Sequence, residues 1–208
     1  MALMNLREST RRSLLAMIVV GTAAAGCRPS RLAQAVPVAR MQESFWSALQ
    51  SQCGRAFRGK LTEGSAADSA FRAAEVIMHV RSCSPKEIRI PLHVGEDRSR
   101  TWVITRTDGG LRLKHDHRHA DGTEDRITQY GGDTRDAGTA TRQEFYADAH
   151  TASLIPAART NVWTMEIVPI ERRFAYALRR EGTDRRFRVE FDLAQPVASP
   201  PPPWGAPR

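Results

Sequence analysis

Lysine is nearly absent from this 208-residue chain: Lys60, Lys86 and Lys114 are the only three, and arginine supplies the rest of its 31 basic residues. The pI near 10.2 therefore reflects arginine, and acids are interleaved with it, as in Glu96-Asp97-Arg98, Glu171-Arg172-Arg173 and Asp184-Arg185-Arg186. Such alternation describes solvated strand faces and turns. No basic helix or aromatic stacking motif accompanies the charge, so nucleic acid is not an expected partner. Apolar runs are short, and none reaches the ~18–20 residues of a spanning helix. Cysteine is scarce, at three residues, and no C-x-x-C occurs, which removes the thiol-redox motif. The G-x-S-x-G, H-E-x-x-H, G-x-G-x-x-G and P-loop patterns are missing as well, and with them the sequence signatures of the commonest hydrolase, metalloprotease, dinucleotide and NTPase chemistries. What is there is the composition of a globular protein, 41% hydrophobic and 26% charged, at a length that fits one domain.

Residues 1–26 have the three parts of a secretory signal. Arg7, Arg11 and Arg12 form the basic part, Leu14 to Ala25 the apolar part, and small residues follow. The run Ala24-Ala25-Gly26-Cys27 resembles the lipobox of bacterial lipoproteins, which implies lipid on Cys27 and attachment to a membrane through it. Ala24 departs from that pattern, where a larger aliphatic residue is usual, and Ala23-Ala24-Ala25 also fits an A-x-A cleavage site. The segment Ser9 to Leu15, with Arg11-Arg12, resembles a twin-arginine export signal without its usual aromatic residue. Either route places the protein in the bacterial envelope, facing the periplasm if anchored and secreted otherwise.

With Cys27 lipidated, Cys53 and Cys83 remain, and the simplest outcome in an oxidising compartment is a disulfide. It would close a loop of about 30 residues and stabilise the fold by ~3 kcal/mol. Residues 27–40, with two prolines, three arginines and no acid, read as a tether; stretched, they reach ~45 Å.

From Met41 to Cys53 the period is helical: Met41, Phe45, Trp46 and Leu49 share a face, and Gly54 stands where a helix cap favours glycine. From Phe57 onward the period is two, although Ala66–Ala74 also reads as helical. Val76, Met78 and Val80 alternate with Ile77, His79 and Arg81, and Ile88, Ile90, Leu92 and Val94 with Glu87, Arg89 and His93. Trp102 and Ile104, Leu111 and Leu113, then Phe145, Trp163, Met165, Ile167, Phe174, Tyr176 and Leu178 continue the pattern, and Phe187, Val189, Phe191 and Leu193 close it. Asp108-Gly109-Gly110, Asp121-Gly122 and Glu181-Gly182-Thr183-Asp184 are hairpin signals. The expectation is a mainly β fold: about eight or nine antiparallel strands in a meander after one N-terminal helix, closed as a lipocalin-like (calycin) barrel or curled as a sheet. The domain is expected to span 41–193. Gly131–Arg142 reads as a polar loop, a functional lid or simply a mobile segment, and 194–208 as a proline-rich disordered tail.

The stretches Gly95 to Trp102, Leu113 to His119 and Gln129 to Thr134 resemble an uncharacterised family of bacterial exported proteins, over most of residues 45–193. The resemblance implies export and a single domain type, and no chemistry.

His115, His117 and His119 sit at alternate positions, with the parity of Leu111 and Leu113, so on one strand they face the same side. If that side is the interior, they line a barrel wall toward its mouth, where such folds hold ligands. Trp102, Trp163, Phe174 and Tyr176 are expected beside them. A metal reading is open too, because the H-x-H spacing resembles strand ligands of carbonic anhydrases and cupins. Neighbouring imidazoles two apart are ~6.5–7 Å from one another, but His115 and His119 are ~13 Å apart. One ion would take two of the three and borrow a ligand such as Glu144, Tyr130 or His150. Histidine can also act as an acid–base group or a pH sensor. The acidic turn Asp121–Asp125 lacks the spaced ligands of an EF-hand, and Glu144, Glu166 and Glu190 are strand carboxylates with no partner across a cleft. The sequence names no cofactor and supports no enzyme. Binding of a small or apolar ligand is the leading expectation; a metal- or haem-binding protein and an envelope assembly partner are the alternatives. A barrel with a cavity favours the first, convergent histidines the second, and a filled core with an exposed apolar patch the third.

Overall fold

The computed structural model describes residues 38–206; the signal, most of the tether and Cys27 lie outside the described residues. Helix α1 (Val38–Gln50) leads into β1 (Ala56–Glu63), a 3-10 turn (Ala66–Asp68), α2 (Ser69–Ala73), β2 (Val76–His79) and the two-residue β3 (Ser82–Cys83). Then come β4 (Glu87–Val94), β5 (Asp97–Thr107), β6 (Gly110–His117), β7 (Tyr130–Asp133) and β8 (Arg142–Ala147). Helix α3 (Ala149–Leu154) and a 3-10 turn (Pro156–Ala158) precede β9 (Asn161–Val168), β10 (Arg173–Arg180) and β11 (Arg186–Val197).

The strands form a closed antiparallel barrel of ten. Each strand from β4 to β11 pairs with the next, β11 returns to β1, and β1 pairs with β2. Closure comes where Val76, Ile77 and Met78 of β2 meet Val94, His93 and Leu92 of β4. The short β3 continues the line of β2 along β4, with Ser82 opposite Arg89 and Cys83 opposite Ile88. The period of two explains the layering. Ile88, Ile90, Leu92, Trp102, Ile104, Leu113, Met165, Phe174, Val189 and Phe191 fill one interior core. The outward Glu144, Glu166 and Glu190 each lie in ion pairs with arginines. Glu166 accepts from Arg188 at 2.6 Å, and Glu144 from Arg179 at 2.8 Å. Closing the sheet satisfies the backbone groups an open edge would strand.

Helix α1 packs its apolar stripe, Phe45, Trp46 and Leu49, into that core. Gln42 fixes its position by donating to Thr134 Oγ1 and to the Asp136 carbonyl, each at 3.1 Å. Thr134 Oγ1 in turn accepts from the Leu111 amide, so the helix closes the barrel end where β6 begins. After Gln50 the chain tightens through turns to Gly54, whose φ of +81° is the left-handed conformation expected of a glycine cap. Cys53 is bonded to Cys83, with 6.2 Å between their Cα atoms, so the end of α1 is tied to β3.

Three expectations are corrected. First, Gly131–Arg142 is not all loop. Its start belongs to β7 and its last residue to β8. The glycines mark close backbone approach: a Cβ on Gly131 would lie 2.0 Å from the Leu113 carbonyl oxygen, and one on Gly132 1.7 Å from that of Tyr146. Second, β6 ends at His117, because the chain turns: the Gly122 amide donates to the His119 carbonyl, and the His119 amide to that of Thr123, each at 2.9 Å. His119 is therefore exposed and off the strand. Third, residues 194–206 do not behave as a disordered tail. Pro196 and Val197 pair with Phe57 and Ala56 of β1. The Trp204 amide donates to the Arg98 carbonyl at 3.1 Å, and Arg98 Nη1 donates to the Pro202 carbonyl at 3.3 Å. An extended proline run leaves its carbonyls free, and Arg98 uses one of them.

Candidate functional site

A cavity of about 270 Å³ opens at the barrel end opposite α1. Its wall is aromatic. Trp102 from β5 stacks on Tyr176 from β10, with ring centres 4.3 Å apart. Tyr130 from β7 stacks on His115 from β6 at 4.4 Å, and Trp163 from β9 leans on His115 at 5.3 Å. Phe71 and Phe187 meet edge to face at 4.9 Å on the far side. Alternation puts these rings inside, and their crossing from six strands and α2 leaves the gap between them.

The polar groups of the floor are engaged. His115 is 3% exposed. Its Nδ1 lies 3.1 Å from the Tyr130 carbonyl oxygen, which only accepts, so Nδ1 carries the proton. Its Nε2 then accepts from the Tyr176 hydroxyl at 2.7 Å. The Tyr130 hydroxyl lies 3.1 Å from His117 Nε2. Burial pushes the His115 pKa down to about 3 and that of His117 to about 4, where nearby Arg100 adds repulsion. Burial lifts the Tyr130 phenol to about 12 and raises that of Tyr176. At neutral pH the floor is uncharged.

Formal charge is confined to the mouth. Arg100, Arg180 and Arg185 line it together with Asp68 and Asn161. Arg185 donates to both Asp68 oxygens, at 2.6 and 2.7 Å. Burial disfavours ionisation of Asp68, but the bonds from Arg185 and Ser65 outweigh it and hold its pKa below the ordinary value. Arg100 is paired with Asp97. Arg180 donates from Nε to Asn161 Oδ1 at 2.9 Å.

Of the residues expected to form a site, Trp102, His115, His117, Trp163 and Tyr176 line this one cavity. Phe174 lies fully buried in the core and does not reach it. His119 is exposed, so the three histidines do not converge, and both nitrogens of His115 are taken. The proposed third ligands do not repair this: Glu144 is bound to Arg142 and Arg179 on the outer face, His150 is exposed on α3, and the Tyr130 hydroxyl faces His117. Among the described residues no group of three or more His, Cys, Asp or Glu is placed to hold a metal ion. The mouth residues Asp68, Arg100, Asn161, Arg180 and Arg185 were not anticipated. Parity was the available signal: Arg100, Asn161 and Arg185 stand two residues before Trp102, Trp163 and Phe187, and Arg180 stands four after Tyr176. Set beside models of known families, curated proteins and solved structures, the chain matches none of them.

Proposed function

We propose that this is an exported bacterial envelope protein, held to a membrane by lipid on Cys27, whose barrel binds a small, largely apolar ligand. One observation carries the reading: a cavity of about 270 Å³, lined by aromatic rings and an uncharged, hydrogen-bonded floor, at the open end of a barrel whose other end is closed by a helix. Ligand sites are concave, mostly apolar and equipped with a few fixed polar groups. Binding rather than catalysis is favoured by His115. A base must have a free nitrogen and a pKa near the working pH; His115 has neither. Assembly through an exposed strand edge or the proline tail is less favoured, because β2 pairs with β4 and the tail binds Arg98 of its own barrel.

The test uses naphthalene-2-carboxamide, a neutral bicyclic probe, followed by energy transfer from Trp102 and Trp163. The wild-type protein is expected to bind it saturably, one per chain. Leu178→Trp, which fills the cavity from its own wall, is expected to weaken binding at least tenfold with the circular dichroism of the barrel retained. Absence of saturable binding, or equal binding by the filled variant, refutes the reading.

A further inference from the structure

Arg180 is the one cation of the mouth with no carboxylate partner among the described residues. Arg185 is neutralised by Asp68 and Arg100 by Asp97. Arg180 makes one side-chain hydrogen bond, from Nε to the buried Asn161. That bond fixes the guanidinium plane, and the two terminal nitrogens have no protein acceptor among the described residues. The backbone of Arg180 is fixed as well: its amide donates to the Arg185 carbonyl at 3.1 Å, and its carbonyl accepts from the Thr183 hydroxyl at 3.0 Å. A pre-oriented, unneutralised guanidinium at the rim of an uncharged aromatic pocket is a receptor for an anion with an apolar body.

We infer that the cavity takes a small carboxylic acid, its aromatic or short apolar body among Trp102, Trp163 and Tyr176 and its carboxylate on the Arg180 fork. The inference rests on the proposed binding function and specifies its ligand. A carboxylate fits better than a phosphate because one cation is uncompensated, whereas a phosphate monoester carries a charge nearer two at neutral pH. Arginine's planar fork also matches the two oxygens of a carboxylate. Histidines at the floor do not supply a second site, because both are neutral there.

The matched pair naphthalene-2-carboxylate and naphthalene-2-carboxamide isolates the charge, since both place the same rings in the cavity. With the full chain at pH 7 and low salt, the carboxylate is expected to bind at least tenfold more tightly than the amide. Arg180→Gln is expected to bring that ratio close to one, Arg180→Lys to leave it intermediate, and Lys60→Gln, which removes an exposed cation from the outer wall, to leave it as in the wild type. Each variant is checked for wild-type circular dichroism, and in the wild type the preference is expected to shrink as salt rises. Equal binding of acid and amide by the wild type overturns the carboxylate inference and leaves the cavity reading standing. A preference that survives Arg180→Gln overturns the role of Arg180. No saturable binding of either probe overturns both.

Discussion

His115 spends its full hydrogen-bonding capacity on the barrel, donating to the Tyr130 carbonyl and accepting from Tyr176. Its neutrality has a consequence for stability. In the unfolded chain a histidine titrates near 6.5, whereas in the fold burial lowers His115 to about 3 and His117 to about 4. Between those values the unfolded chain binds more protons. Their contribution is therefore complete above about pH 6.5 and is lost as pH falls toward the folded values, at up to about 1.4 kcal/mol per pH unit for each histidine. Urea unfolding across pH 7 to 4.5 should show this loss. His115→Gln should be less stable at pH 7 by about 1–3 kcal/mol, because the Tyr176 hydroxyl loses its fitted acceptor, and its stability should depend on pH by roughly one proton less. A slope equal to that of the wild type would mean that His115 does not carry the linkage. At this scale the sequence was legible by parity. Parity ties His115 and His117 to the side that Leu113 faces, and that side is the interior; His119 departs from it because parity does not reveal where a strand stops.

At the scale of elements, strongly periodic segments were readable and short or glycine-rich ones were not. α1 and the strands carrying Ile88, Trp102, Phe174 and Phe187 are long enough for alternation to register. β7 spans four residues, Tyr130–Asp133, and two of them are glycines with no side chain to alternate. Its strand character resides in backbone crowding against Leu113 and Tyr146, which only the assembled barrel exposes. The pairing of the tail is illegible in sequence for a related reason: its partners, Phe57 and Arg98, are more than a hundred residues away. The disulfide is the element-level feature with a measurable weight. It joins the turn after α1 to β3, beside the β2–β4 pairing that closes the barrel. Cys53 is exposed and Cys83 only half-buried against the core, so replacing them leaves little cavity, and the effect should be mainly that of loop entropy. Cys53→Ala with Cys83→Ala should lower the unfolding free energy by about 3 kcal/mol relative to the oxidised protein. Full stability in the double variant, or two free thiols in protein recovered from the envelope, would count against a structural role for the bond.

At the scale of the whole fold, the described residues are apolar inside and charged outside. Among the described residues Ile170, 94% exposed, is the only large hydrophobic side chain left open. The outer wall of β8 to β11 instead carries Glu144, Glu166 and Glu190 paired with Arg142, Arg173, Arg179 and Arg188. A membrane-spanning barrel has the reverse arrangement, with an apolar band some 25 Å tall facing lipid. No helix among the described residues is long and apolar enough to cross a membrane. The proposed anchor is instead lipid on Cys27, read from the lipobox-like Ala24-Ala25-Gly26-Cys27. In a bacterial host Cys27→Ser should move the protein from the membrane fraction to the soluble fraction and abolish incorporation of labelled palmitate. The barrel, which takes no part in the anchor, should bind the naphthalene probe as before. Binding retained on release would separate the two halves of the proposal, an anchor read from sequence and a receptor read from structure. Undiminished membrane association of Cys27→Ser would refute the anchor.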